Sequence, residues 1–600
     1  MTSNWKIKPS SKRKEYIEEI MKGLNICKPL ALALGAKGVK NVGEGIRLLN
    51  PKDIPYADIT QMTDVKKSFE IIDVAIENKQ KICIYGDYDA DGITSTTILM
   101  KSLSALGADV SYYIPDRVEE GYGLNIGAVK KIAEKGYTLI ITCDNGIAST
   151  EEIALANSLG LKVIVYDHHM PHINEEGKQI LPMAAAVVDA KSDTCNYPFA
   201  YMCAGGLCYR LMKAYYKHRN IPFELNDELL VFAAIATQCD MVEILDENRR
   251  LLYEGLEKIN TKVTNKGLKK LIEITSAAGT EDNPKEIGDY QLGFIIGPCI
   301  NAAGRLESAK MAVELFLCDD ENKVEQYARD LFQTNNERKL ITRKNTDEAI
   351  EAVEQSDLIN DRVLVLYDET IHESVAGLVA ARLKEKFYRP TIVLTKCEEG
   401  AKGSARSIEG YDIFKALSEN APLFKKFGGH PMAAGMTLPL ENVDKLRLCL
   451  NEQCTLTSDE LTKKYTVVGL LTPEEITMQS ANEMTLLKPY GKENEKPLFG
   501  MLNVKLDSIS FMGSEGRYMR LRLCTGFPKG IQAVAFDGYE KMEKLLSSCG
   551  YTMEKRENMD VYADIIFTLD INRYTDKNGI LREAPQLTIK DFRPAIKRRY

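Results

Sequence analysis

No apolar run in the 600-residue sequence approaches the ~20 residues that a helix needs to cross a bilayer, so no membrane association is expected. The opening stretch, MTSNWKIKPSSKRKEY, has no apolar h-region, and no signal peptide is expected. Among 14 cysteines there is no C-x-x-C pair. Several, such as Cys83 and Cys143, sit inside apolar strand-like runs, so buried reduced thiols are the simplest account, and they point to the cytoplasm. A basic surplus is missing too: 78 Lys and Arg face 86 Asp and Glu, a formal charge of −8. That weighs against a passive coat on nucleic acid. It leaves room for an enzyme with a basic groove built from local Lys/Arg clusters. Histidine is scarce, with six residues.

What is present is ordinary globular composition, 44% hydrophobic and 27% charged. A chain this long exceeds one core, so three or four domains are expected. It is organised around residues 85–96, YGDYDADGITST, where Asp87, Asp89 and Asp91 alternate. An apolar run, 81–85, leads in as a short buried strand. A helical pattern, 93–106, leads out, with Gly107 placed to stop it. Three like charges on a strand-to-helix turn repel one another unless a cation sits among them. The bland alternative is a solvated acidic turn.

From about residue 65 to 190, strands and helices alternate. Helices are expected at 65–77, 126–135 and 151–159, and strands at 81–85, 110–114, 138–143, 162–166 and 185–188. This is the pattern of an α/β, doubly wound parallel sheet. Three strands run straight into acids: Asp87, Asp144, and Asp167-His168-His169. Strand ends of a parallel sheet share one edge, where such sheets place their sites. Carboxylates with imidazole and no thiolate suit Mn²⁺ or Mg²⁺, and so rich a cluster suggests two metals, as in phosphoryl hydrolysis.

D-Y-D-A-D-G, C-D-N-G at 143–146 and D-H-H at 167–169 resemble the motifs of the DHH phosphoesterase superfamily. ATQCDMV at 236–242, GPCINAAGRL at 297–306, SARSI at 404–408 and GGHPMAAG at 428–435 resemble later motifs of its RecJ branch of single-strand-specific exonucleases. The resemblance implies that Asp87, Asp89 and Asp144 hold one metal, and Asp91, Asp144, His168 and Asp240 the other. It makes His169 a charge stabiliser or proton donor at the phosphate, with Asp167 orienting the histidines. It places Arg305, Ser404, Arg406, Gly428, Gly429 and His430 on the substrate, the glycines as a turn that lets backbone amides approach a phosphate. Asp189, His172 and His218 receive no role, and a helix cap is the alternative reading of Asp240.

Residues 1–50 read as an N-terminal arm packed on a catalytic domain of 51–318. A connecting helix at 319–355, with a possible break, leads to a DHH-associated substrate-binding domain at 356–460. From 461 to 600 short alternating runs suggest a small OB-fold β-barrel for single strands, with Phe511, Arg517, Tyr518, Arg520 and Arg522 as candidate contacts and a basic tail. The resemblance implies a 5′ to 3′ single-stranded-DNA exonuclease of DNA repair and recombination that releases mononucleotides. It also implies helicase and single-strand-binding protein partners. Two alternatives stand beside it: a phosphohydrolase of short RNA, cyclic dinucleotide or pyrophosphate, and a catalytically silent nucleic-acid-binding relative. A small substrate needs neither the chain length nor the added barrel.

Overall fold

The computed structural model describes residues 4–7, 14–174, 176–280, 283–512, 518–524, 530–536, 538–553, 557–575 and 580–595. No described helix is long and apolar enough to cross a membrane.

Five parallel strands form the first sheet, in the order Asp109–Tyr113, Lys81–Tyr85, Leu139–Cys143, Lys162–Tyr166 and Ala186–Val188. Ile82, Ile84, Ile141 and Ile164 pack into the larger core on one face, while Cys83, Tyr85, Ile140, Val163 and Val165 pack into a second core on the other. Burial on both faces explains why these strands read as unbroken apolar runs. Strand order reverses between Lys81–Tyr85 and Leu139–Cys143, and that switch point opens a crevice at the carboxyl ends. The helix out of the first strand spans Ala90–Ala105, three residues ahead of the start expected from the sequence. The Asp89 carboxylate sets this start as N-cap, accepting from the N–H groups of Asp91 (3.0 Å) and Gly92 (3.1 Å).

Helices Ala204–His218 and Asn226–Cys239 pack on Ala90–Ala105. Gly279–Thr280 pairs antiparallel with Asn283–Pro284. A π-helical turn, Leu292–Ile296, feeds Gly297–Leu306. The connecting helix Glu321–Glu354 runs 34 residues with no break. Leu317 closes the preceding helix, and Asp320 caps the long one.

The second sheet, in the order Leu364–Tyr367, Thr391–Cys397, Gly400–Arg406, Ala433–Leu438 and Lys426–His430, has one parallel pair and is otherwise antiparallel. The expectation of a Gly428-Gly429-His430 turn is corrected here: these residues end the edge strand, and the reversal falls at 431–432. Gly429 is required by packing, because a Cβ there would lie 2.4 Å from the Ala433 carbonyl oxygen.

In the C-terminal region Phe499–Met512 pairs with Tyr518–Cys524, which pairs with Ile531–Ala535, then Leu581–Pro594, then Glu557–Thr575. The last strand pairs back onto Phe499–Met512, so the ladder returns on itself. Tyr518–Cys524 alternates cleanly, with Met519, Leu521 and Leu523 in the core. The N-terminal arm is also corrected. Ile17, Ile20 and Leu30–Leu34 share the core of this C-terminal region, not that of the first sheet. Strand Asn4–Ile7 pairs in parallel with Lys464–Val467. An amphipathic helix tells that it has a partner face but not which one. Arg517, residues 8–13, 281–282 and the tail beyond 595 lie outside the described residues.

Candidate active site

Cross-strand register sets Tyr85 beside Thr142, Cys143 beside Tyr166, and Tyr166 beside Val188. The residues that follow, Asp87, Asp144, Asp167 and Asp189, therefore emerge along one edge. Asp144 sits in the left-handed region at φ 65°, a backbone that aspartate tolerates better than most residues. The Tyr122 hydroxyl donates to its carbonyl at 2.9 Å. Asp240 arrives from a different element, as the C-cap that follows the Asn226–Cys239 helix. It is thus both a helix cap and a member of the cluster.

Ligand atoms of Asp87, Asp89 and Asp144 lie within 4.8 Å of one another, and so do those of Asp91, His168 and Asp240. His168 Nε2 faces three carboxylate oxygens: Asp144 Oδ1 at 3.2 Å, Asp91 Oδ2 at 3.6 Å and Asp240 Oδ2 at 3.7 Å. Buried Asp87 Oδ1 has no hydrogen-bond partner. Burial, and after it mutual repulsion, push the carboxyls of Asp87, Asp144 and Asp240 well above their usual range and Asp91 up to about 7. Burial and the charge of His169 hold His168 well below the usual imidazole value, hence neutral. A neutral nitrogen among buried, mutually repelling carboxylate oxygens is the donor set of a hard divalent cation. The residues present fit two such ions.

Two aspartates are held differently. Asp91 accepts from the N–H groups of Ala204 (2.8 Å) and Gly205 (2.7 Å), at the start of the Ala204–His218 helix. Those contacts fix its carboxylate against the helix positive end. Asp167 accepts from the N–H groups of Ile147, His168 and His169 and pairs with His169 Nδ1 at 2.8 Å. Burial acts upward on Asp167, but the charge and hydrogen bond of His169 outweigh it, and its carboxyl sits below the usual range. For His169, burial acts downward, and the Asp167 carboxylate outweighs it and lifts the imidazole to about 9. His169 is therefore cationic at neutral pH.

Across the crevice stands a basic wall. The helix carrying Arg305 approaches because Gly304 has no side chain, a Cβ there falling 2.4 Å from the Tyr88 carbonyl oxygen. Asn301 Oδ1 accepts from Ala90 N–H at 2.8 Å and locks that helix onto the acidic turn. Arg305 donates to the Ser374 carbonyl at 3.1 Å, bridging to the second sheet's first helix. Burial and the nearby Arg117 charge push Arg305 down to about 10, and the same two causes lower Arg406. The Arg406 guanidinium and Ser404 hydroxyl pack at Gly377, where a Cβ would come within 2.9 and 3.3 Å. Register places Arg406, Ala433 and His430 on one rung and Ser404, Gly435 and Gly428 on the next. Directly paired residues share a face, so glycine and alanine floor a shallow groove between Ser404/Arg406 and His430. The charge of His169 acts on His430 across the crevice, after burial as the larger cause, and both lower its pKa.

Sequence reasoning missed Arg117, which lies 4.8 Å over the Tyr88 ring, and Tyr122, whose hydroxyl is 3.2 Å from His169 Nδ1. Both follow the strand Asp109–Tyr113, so the strand-end logic that found the aspartates applies to them as well. Lys191, whose charge acts on His168, His169 and Asp240, follows Ala186–Val188 in the same way. On the C-terminal sheet, exposed Tyr518 meets exposed Phe536 edge-on at 5.5 Å, and Arg520 lies on the same solvent face. Arg522 is held by Asp507 at 2.7 Å, and Phe511 packs on Tyr539.

Three family models match: the DHH family N-terminal domain over residues 81–237, the DHHA1 domain over 360–455 and the RecJ OB domain over 469–591. The single-stranded-DNA-specific exonuclease RecJ of Bacillus subtilis is 40% identical over 515 residues, 84% of this chain and 63% of that protein. The chain thus spans less than two thirds of that relative's length. The Escherichia coli protein of the same name is 34% identical over 459 residues, 73% of this chain and 78% of that protein. Among solved structures, RecJ from Thermus thermophilus in complex with Mn²⁺ matches with a TM-score of 0.79 at 25% identity, over 99% of this chain and 80% of that one.

Proposed function

The chain belongs to the RecJ family of single-stranded-DNA-specific exonucleases, and from that premise we propose that it removes mononucleotides from the 5′ end of single-stranded DNA. Asp87, Asp89 and Asp144 would hold one divalent ion, and Asp91, Asp144, His168 and Asp240 a second, Asp144 being common to both sets. When bound, Mn²⁺ or Mg²⁺ supplies a nucleophile at neutral pH and counters charge that develops on the phosphoryl oxygens. The chain's own groups do the rest. Asp167 Oδ1 keeps a proton on His169 Nδ1, so His169 Nε2 is left as a cationic donor toward the phosphate or leaving oxygen. Among the described residues no carboxylate pairs with Arg117, Arg305 or Arg406, and their forks suit the oxygens of a strand's terminal phosphate. Binding that end over the acidic floor sets the 5′ direction and a one-nucleotide product.

The observation that carries this reading is the facing of an unneutralised carboxylate cluster by an arginine wall across one crevice. In the proposed division, residues 51–318 hold the ions, 319–355 space the two walls, and 356–460 bind the strand end. Residues 461–600 hold the strand beyond, where Tyr518, Arg520 and Phe536 offer stacking and charge. Helicase and single-strand-binding partners, a role in repair and recombination, and a cytoplasmic setting belong to the same proposal. The fourteen free thiols support that setting. The test is incubation with Mn²⁺ and single-stranded DNA labelled at either end, beside duplex, short RNA and pyrophosphate. Early release of 5′-labelled mononucleotide is expected. Pyrophosphate hydrolysis with the DNA left intact would overturn the reading.

A further inference from the structure

Asp240 is the one member of the acidic cluster that no strand end supports. It closes a helix, and the chain turns sharply after it, with Met241 at φ 56° and 70% exposed. Its position therefore depends on what anchors residues 241–245. From within the first region, Val242 packs on Cys203 and Ala236, and Asn248 donates to the Glu243 carbonyl at 2.9 Å. Ile244 is also buried in the first region's core, and further anchors come from the C-terminal region, some 250 residues on. Ile244 N–H donates to the Lys492 carbonyl at 2.8 Å, and Lys492 Nζ pairs with Glu243 at 2.9 Å. Gly491 lies flat on Ile244, where a Cβ would fall 2.4 Å from its Cγ1. The loop that makes these contacts is itself stiff. Asn494 Nδ2 donates to the carbonyls of Leu487 (3.0 Å) and Pro489 (2.6 Å), and Gly491 and Asn494 exchange backbone hydrogen bonds.

We propose that the 488–494 loop positions Asp240, Lys492 and Gly491 being the contacts through which the C-terminal region sets that carboxylate among its partners. This deepens the two-ion reading and rests on Asp240 being an ion ligand. Neither Lys492 nor Gly491 touches the cluster; both act through the backbone of 241–245. A rigid loop so placed also joins the sheet that holds the strand to the floor that cuts it.

The test is Mn²⁺ binding to the full chain without DNA, followed by electron paramagnetic resonance of the free ion, with kcat and KM as second readouts. Lys492 is half exposed, so Lys492→Glu is expected to fold. It should weaken one of two Mn²⁺ sites by about tenfold, the scale seen for outer-shell partners of metal ligands. It should lower kcat more than it raises KM for DNA. The swap Glu243→Lys with Lys492→Glu should restore the affinity. Lys28→Glu, which breaks the part-exposed 2.7 Å pair with Glu475 between the N-terminal arm and the C-terminal region, should leave Mn²⁺ binding unchanged and so controls for general loosening. Unchanged Mn²⁺ affinity in Lys492→Glu, with one site lost in Asp240→Ala, would overturn the positioning role alone. Retention of both sites in Asp240→Ala would overturn the ligand reading and this inference with it.

Discussion

Buried acids occur at both ends of this molecule, and they are treated in opposite ways. In the C-terminal region Asp564 accepts from Asn503 N–H at 3.0 Å and Arg593 at 3.2 Å, while Asp591 accepts from Trp5 Nε1 at 2.7 Å and pairs with Lys541. At the first sheet's edge, Asp87 Oδ1 has no partner, and Asp87, Asp144 and Asp240 are raised first by burial and then by neighbouring carboxylates, Asp89 among them in each case. Desolvating an ion without a partner costs on the order of several kcal/mol. Charges that are buried and answered serve the fold. Charges that are buried and unanswered wait for something the chain does not itself contain.

The sharpest way to break that contrast is to remove an unanswered charge. Asp144→Ala should lower turnover by at least about three orders of magnitude, beyond the 10–100-fold of an outer-shell partner, while circular dichroism stays native. Chelation of divalent ions should reach the same floor and be reversed by Mn²⁺. Next in size, Arg305→Ala and Arg406→Ala should each raise KM for 5′-phosphorylated strands by about 10–100-fold, the value of one or two charged hydrogen bonds. A 5′-hydroxyl strand should show a smaller change, read in steady-state assays.

Stability separates the two regions directly. Asp564→Asn should destabilise by about 1–3 kcal/mol, read as a lower midpoint in urea. Asp144→Asn in ion-free protein should instead raise the melting temperature, because it relieves repulsion. Equal losses from both substitutions would erase the distinction. The smallest effect is pH dependence. Asp91 is raised to about 7 when folded, from 3.8, so the folded state holds its proton more tightly than the unfolded. That contribution is complete below pH 4 and lost as pH rises through 7. Ion-free protein should therefore melt lower at pH 7 than at pH 5, and saturating Mn²⁺ should remove the slope.

The first sheet was legible because it is buried on both faces, so each strand is a plain apolar run that ends at an acid. Asp87, Asp144 and Asp167 follow from that, while Asp240 and Arg305 came only with the resemblance, being on helices with no periodic signal for a site. The arm of residues 14–49 was misplaced because its partners, such as Leu471 and Met484, lie more than 400 positions away. The Gly-Gly-His segment looked like a turn because glycine is common in turns. At Gly429 it serves close approach between strands instead. Arg117, Tyr122 and Lys191 are single residues in irregular loops, where the signal is position after a strand end and not a period.

The unbroken helix Glu321–Glu354 spans about 50 Å. A helix advances 1.5 Å and turns about 100° per residue, so it behaves as a gauge and not as a tether. One inserted residue would swing the far jaw aside without loosening anything, and one deleted residue would swing it the other way. The spacing of the two walls is thus metered by this rod together with the Arg305–Ser374 bridge, and the proposed cut depends on both.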